Sequence, residues 1–464
     1  MIRRFSVLGA LLAGGCMTAS PPPSPVVPPT MDAAFTTRAT ASIAPVPDRW
    51  WRLFDDPQLD VLVQASLAAN ADLRVAYSNL DAARATIRQA DAARLPQPII
   101  ESSLGVDNPS GQPSAANVSA SDYDVAATIS WDIDLFGRLR AGALAARADA
   151  EAQAAALDGV RVAVAADTVQ AYVDLCGATH NGRIAREIVA TQERNLRGVQ
   201  EQFRAGELSP LEVSQAASLL ASSRATLPSF DAARDSARYR LATLQGLPPT
   251  DPRLAAIACP QIPRLKGAAP VGDGAALLRR RPDIREAERR LASATAGIGV
   301  ARAELYPKVN LGGALGLLSG GLAATASPLI SWAFPNQAPA RARIALAKAK
   351  ERGALASWDV AVLRALREVE IALAATQAEA QRNAALAWAT DEAALYARRT
   401  ASRARLGDAS PLLAIDAERT SATARLAGAQ SDLLLATSYV TLFRVLGGGW
   451  QDAPQPLDPA RPIG

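Results

Sequence analysis

Gly206-Glu207-Leu208-Ser209-Pro210-Leu211 returns as Gly407-Asp408-Ala409-Ser410-Pro411-Leu412, 201 residues further along the chain. The correspondence extends outward from this pair. At the same offset Ser130-Trp131 matches Ser331-Trp332, Arg224 matches Arg425, Leu241 matches Leu442 and Gly246 matches Gly447. Upstream the offset becomes 211: Asp72-Leu73-Arg74-Val75-Ala76 aligns with Asp283-Ile284-Arg285-Glu286-Ala287, and Leu80, Ile87, Ala90 and Pro96 meet Leu291, Ile298, Ala301 and Pro307. One structural unit is therefore used twice. The second copy is ten residues shorter between Pro307 and Trp332. That difference falls in a hairpin, and loops are where deletions are tolerated.

Each copy reads as helix, hairpin, very long helix, tight turn and return helix. Residues 72–94 have a helical pattern that stops before Pro96, because the residue preceding proline avoids the helical region. Residues 97–106 and 122–135 are strand candidates. In the second, Val125, Ala127, Ile129, Trp131, Ile133 and Leu135 fall on one face, while Asp124, Thr128, Ser130, Asp132 and Asp134 fall largely on the other. Both reach the roughly 9 to 11 residues that a tilted membrane strand needs. Asp107 to Ser121 between them is a Gly/Pro/Ser/Asn loop. Arg138 to Phe203 and Ala340 to Arg405 are each 66 residues without an internal proline. At 1.5 Å per residue that is about 100 Å of helix, too long for a compact domain. The second return helix has a seam of Leu412, Ile415, Ala422, Leu426, Ala429, Leu433, Ala436 and Val440, with Arg419 the exception. Pro228 predicts a kink in the first return helix.

Composition narrows the function. At 464 residues the length alone suggests about three domains, but the repeat overrides that prior. Forty-nine basic residues against 45 acidic leave a net charge of +4, with no basic stripe interleaved with aromatics, so nucleic acid is not a partner. One histidine (His180) and three cysteines exclude a His-rich metal site or a zinc cluster, and no cofactor is called for. His180 lies within a long helix without a nucleophile motif. Gly447-Gly448-Gly449 lacks the context of a phosphate loop and reads as a helix stop. No enzyme constellation is present. Apolar residues make up 49% but aromatics only 5%, because alanine dominates. Alanine favours helix and buries little surface, which suits long helices in close contact.

The N-terminus has a charged region (Arg3, Arg4), a short apolar region from Phe5 to Ala13, then Gly14-Gly15-Cys16. This resembles a bacterial lipoprotein signal, with Cys16 the lipidated residue; an ordinary signal peptide cut nearby is the other reading. Residues 17–47 are rich in Pro, Ser, Thr and Ala and read as an extended tether. The organisation is then a signal peptide over 1–15, anchor and tether over 16–47, repeat one over 48–250, a connector over 251–275, repeat two over 276–449, and a tail over 450–464.

The double repeat, the run Trp131-Asp132-Ile133-Asp134-Leu135-Phe136-Gly137-Arg138-Leu139-Arg140, the segment Arg280-Arg281-Pro282-Asp283-Ile284-Arg285-Glu286-Ala287-Glu288 and the two Gly-centred turns together resemble the TolC-type outer-membrane efflux family, nearest its NodT-type, OprM-like lipoprotein branch. The resemblance covers about residues 48–449. It implies a mixed α/β membrane protein: a long, coiled-coil-like α-helical periplasmic tube, plus four strands per protomer given to a twelve-stranded outer-membrane β-barrel of a homotrimer. The function it implies is a passive exit duct for solutes delivered by an inner-membrane pump, of the resistance-nodulation-division type, through a periplasmic adaptor. A type I secretion duct is the alternative, as is a lipid-anchored periplasmic scaffold or adaptor without a channel. The sequence departs from the family in copy two, where Phe334-Pro335-Asn336-Gln337-Ala338-Pro339 replaces the glycine-containing junction and the hairpin from Lys308 to Phe334 is short and glycine-rich.

The resemblance also implies sites. The tips Ala205-Gly206-Glu207 and Leu406-Gly407-Asp408 face the adaptor. Asp416 occupies the position of a periplasmic gate aspartate, and Leu413 stands where a companion acid is usual. In copy one the equivalents are Gln215 and Glu212. A solvated helix-surface carboxylate is the plainer reading of Asp416. The family places the connector in an equatorial girdle around the tube, so Cys259 and mid-helix Cys176 are either bridged there or two separate buried thiols.

Overall fold

The computed structural model describes residues 41–42, 44–105, 122–257, 259, 261–272, 277, 279–318 and 321–451. Cys16, most of the tether, the loop over 106–121 and the tail beyond Gln451 lie outside the described residues. In chain order the elements are β1 (Ala41–Ser42), α1 (Pro57–Ala69), α2 (Ala71–Ala92), β2 (Gln97–Gly105), β3 (Asp122–Ile133), α3 (Arg138–Arg204), α4 (Pro210–Ala225), α5 (Leu227–Leu244), β4 (Ala269–Pro270), α6 (Pro282–Ala303), β5 (Lys308–Leu318), β6 (Gly321–Ser331), α7 (Ala338–Arg405) and α8 (Pro411–Val445), with 3-10 turns at Trp50–Phe54 and Pro252–Ala256. No described helix is long and apolar enough to cross a membrane.

The chain forms two compact units, each drawing on both repeats. Among the described residues, one comprises Ser78–Ala155 and Ile284–Ala361; the other comprises the chain up to Tyr77, Ala156–Asp283, and Val362 onward. The first holds a four-stranded antiparallel sheet in the order β2-β3-β5-β6. Its register runs from Gln97↔Ser130 to Gly105↔Asp122, from Val125↔Leu317 to Ile133↔Val309, and from Lys308↔Ser331 to Leu318↔Gly321. The glycine-rich second hairpin thus forms two full strands of 11 residues each. On β3, Val125, Ile129 and Trp131 are exposed within the protomer. The repeated tryptophans have one job: Trp131 Nε1 donates to the Arg94 carbonyl and Trp332 Nε1 to the Leu305 carbonyl, both at 3.0 Å. Each indole satisfies an acceptor just past the C-terminus of the preceding helix. Pairing on β3 stops at Ile133, because Asp134 turns away to take the N–H groups of Leu139 (3.0 Å) and Arg140 (2.8 Å) at the start of α3.

In the second unit the core begins where the sequence shows no periodicity. Trp50 and Trp51 are buried, and Trp50 stacks on Phe443 with ring centroids 5.0 Å apart and meets Phe54 edge-on at 6.4 Å. Leu59, Val63 and Leu67 form the buried apolar stripe of α1. Pro228 does more than kink the first return helix. The helix breaks at Thr226 into α4 and α5, with Pro228 in the first turn of α5, where its missing N–H costs nothing. The second return helix stays whole as α8. Ala429, Ala436 and Val440 of its predicted seam are buried, whereas Leu412, Ile415, Ala422, Leu426 and Leu433 are only half-buried in the protomer. Hydrogen bonds from Thr390 to the Ala424 carbonyl (3.0 Å) and from Asn383 to Asp432 (2.9 Å) tie α7 to α8.

Candidate functional site

The two helix reversals close in the same way. Gly206 and Gly407 sit at φ +79° and +76°, a left-handed conformation that a Cβ disfavours. Past each helix end the next N–H reaches back a full turn: Glu207 N donates to the Gln202 carbonyl at 3.0 Å, and Asp408 N to the Arg403 carbonyl at 2.9 Å. Serine then caps the return helix, Ser209 accepting from Leu211 N at 3.3 Å and Ser410 from Leu412 N at 3.2 Å, with proline at the first helical position. The repeated Gly-x-x-Ser-Pro is therefore a stop-and-start signal. The tips differ in decoration: Arg403 donates to the Asp408 carboxylate at 2.9 Å, and Leu406 is exposed.

Asp416 and Leu413 lie in the first two turns of α8, and both are exposed. The Asp416 carboxylate accepts from Arg419 at 2.5 Å, one turn along the same helix. Arg419 interrupts the apolar seam, and its i,i+3 spacing from Asp416 is the sequence signal for this pair. Glu212, the counterpart of Leu413, is used locally. It accepts from Ser209 N at 3.0 Å in a capping box, and the Ser209 hydroxyl and nearby N–H groups hold its carboxyl below the usual range.

Further along, α3 and α8 share a charged network absent from the sequence reading. Glu187 bonds Arg183 at 2.6 Å and Arg425 at 2.7 Å. Burial works against its charge, but the two arginines hold it below the ordinary range. Arg224 of α4 reaches Glu193 at 2.7 Å. On α8, burial pushes the Glu418 carboxyl upward, and Arg425 and Arg194 only partly offset this.

Cys176 and Cys259 are joined in a disulfide with their Cα atoms 5.0 Å apart. Both are buried, and the bridge spans 83 residues. Closing so long a loop in the unfolded chain stabilises the native state by about 2 to 4 kcal/mol. Cys176→Ser/Cys259→Ser protein is expected to unfold at a lower temperature in detergent than the parent. Equal midpoints for parent and variant would show that the bridge adds nothing.

The family model of the outer membrane efflux protein matches residues 62–247 and 275–448, the two repeats without the connector that carries Cys259. The outer-membrane channel OprN, a solved structure, is 35% identical with a TM-score of 0.83, over 90% of this chain and 98% of that one. Outer membrane protein OprJ of Pseudomonas aeruginosa is 30% identical over 96% of each chain. Nodulation protein T of Rhizobium leguminosarum bv. trifolii is 28% identical over 95% of this chain and 96% of its own. With both repeats matched and the full-length relatives covered almost end to end, the chain belongs to the outer membrane efflux protein family.

Proposed function

We propose that this protein is the exit duct of a tripartite efflux system in the outer membrane of a Gram-negative bacterium. The observation that carries the reading is the four-stranded sheet, whose outer strands β2 and β6 each have one edge without a partner among the described residues. Lipid does not tolerate open sheet edges. Three protomers would close twelve strands into an even-numbered barrel wide enough for water. The homotrimer follows from that arithmetic, and the half-buried seam of α8 leaves apolar surface for a neighbouring protomer. Repeats 48–250 and 276–449 supply strands and tube, and connector 251–275 girdles the tube. The tips at Gly206 and Gly407 meet a periplasmic adaptor, and a resistance-nodulation-division pump in the inner membrane supplies the energy. Cys16 carries the lipid; Cys16→Ser should abolish incorporation of labelled fatty acid, and continued incorporation would remove the anchor. The duct reading is tested by reconstituting purified protein in planar bilayers. Discrete single-channel steps are expected, and their absence from trimeric, membrane-inserted protein would overturn it.

Asp416 is the gate residue in this reading, with Arg419 as its partner. Three symmetry copies bring three Asp416–Arg419 pairs to one constriction. Asp416→Ala removes the anion and leaves three unpaired guanidiniums, so the channel should lose cation block and shift toward anion selectivity, with trimer assembly unchanged. Unchanged conductance, selectivity and block would assign closure to apolar packing around Leu413.

A further inference from the structure

The start of α7 is strongly basic and lies beside the strands. Arg341, Arg343, Lys348, Lys350 and Arg352 face only Glu351 over residues 341–352. That stretch has an excess of four positive charges, as large as the excess of the whole 464-residue chain. Arg343 is neutralised by Glu304 at 2.6 Å. The other four bases are exposed and make no ion pair among the described residues. The helix begins at Ala338, after a six-residue link from the end of β6 at Ser331, and these bases lie within about 20 Å of its start. Helical side chains lean toward the N-terminus, and here that is the direction of the strands.

Copy one has a smaller version in the same compact unit. Arg88, Arg94 and Arg147 line a recess beside Trp131, whose indole belongs to the apolar face of β3. Asp91 takes Arg147 at 3.2 Å and Arg94 at 3.9 Å, and Arg88 has no ion pair among the described residues. The recess's other two carboxylates are committed, Asp132 to Arg138 at 2.6 Å and Asp134 to the first N–H groups of α3. Tryptophan at the end of an apolar strand marks the level of a membrane interface. Guanidinium forks at that level fit phosphate oxygens.

We propose that this basic collar binds the phosphate headgroups of anionic glycerophospholipids in the periplasmic leaflet. The inference rests on the reading above that the sheet crosses the outer membrane. Each exposed base near an anionic leaflet favours association by about fivefold, so the four unpaired bases of α7 dominate and Arg88 adds to them. The shell of lipid around the protein is then enriched in anionic headgroups on the side where the helices leave.

The test uses the full chain with Cys16→Ser, so that its own anchor contributes no lipid. The protein is reconstituted in vesicles of phosphatidylethanolamine with a minor fraction of phosphatidylglycerol. After gentle detergent extraction, mass spectrometry counts the lipids that stay bound. The bound phosphatidylglycerol fraction should exceed the vesicle fraction by at least about fivefold. Arg341→Gln/Lys348→Gln/Lys350→Gln/Arg352→Gln protein should return to the vesicle fraction, while Arg341→Lys/Arg352→Lys keeps the enrichment. No enrichment in the parent, or equal enrichment in the glutamine variant, overturns the proposal. Displacement of phosphatidylglycerol by excess inorganic phosphate would also overturn it, assigning the collar to soluble anions. If both proteins remain integral to the vesicles without enrichment, only the lipid proposal fails. If the Cys16→Ser parent needs no detergent for release, the membrane-spanning reading falls and the lipid proposal with it.

Discussion

Gly316→Val is expected to remove nearly all membrane-inserted protein. Gly316 pairs with Ala126 across the β3–β5 junction, where the two hairpins join into one sheet. A Cβ built there would lie 2.3 Å from the Val125 carbonyl oxygen and 2.6 Å from the Ala126 Cα. Both are backbone atoms, so no side-chain rotation relieves the contact, and the strands must separate or slip. A one-residue slip would turn every side chain to the opposite face. Overpacking of this kind costs about 1 to 3 kcal/mol per chain, occasionally more, and a trimer would carry it three times. Gly312→Val is the matched control on the same strand, because its Cβ would meet only the Ser327 carbonyl at an ordinary 3.5 Å. The inserted, detergent-extracted protein should fall by at least about tenfold for Gly316→Val and stay near parent for Gly312→Val. Equal yields of the two variants would refute the close-approach argument.

That glycine shows where sequence reading stopped. The repeat, the turns and the long helices were legible because their signals are local: a left-handed glycine, a Ser-Pro start, and a run without proline. The helix read as Arg138 to Phe203 extends to Arg204, and its copy begins at Ala338 because Pro339 fits a first turn. The glycines of the second hairpin looked like a weakness in a strand. The reason for one of them, the close approach of β3, depends on a partner far away in sequence. The Trp50-Trp51 cluster was missed for the same reason. Its stacking partner Phe443 lies near the other end of the repeat region, and no period links them. At the candidate gate the sequence supplied Asp416 but not its Arg419 partner, because a seam search discards charged residues rather than pairing them.

Arg281→Ala should cost about 2 to 3 kcal/mol of stability. Arg281 is only 8% exposed, yet its guanidinium serves three elements of one unit. It donates to the Val445 carbonyl at 3.0 Å at the end of α8, to Asp283 at 3.0 and 2.7 Å in the first turn of α6, and to Glu368 of α7 at 2.8 Å. Burial alone would lower its proton affinity, but Asp283 and Glu368 more than offset this, and the group is held above its ordinary value. Removing it takes this donor from the Val445 carbonyl and this guanidinium from the Asp283 and Glu368 carboxylates. Both carboxylates are about a third or more exposed and can be partly hydrated, so the loss is smaller than for a fully buried pair. Arg281→Lys keeps the charge but not the fork and should fall between parent and alanine. Thermal unfolding in one detergent at one scan rate should rank the midpoints parent, lysine, alanine. A lysine variant as stable as the parent would mean that charge alone, and not the three-way fork, holds these helix ends together.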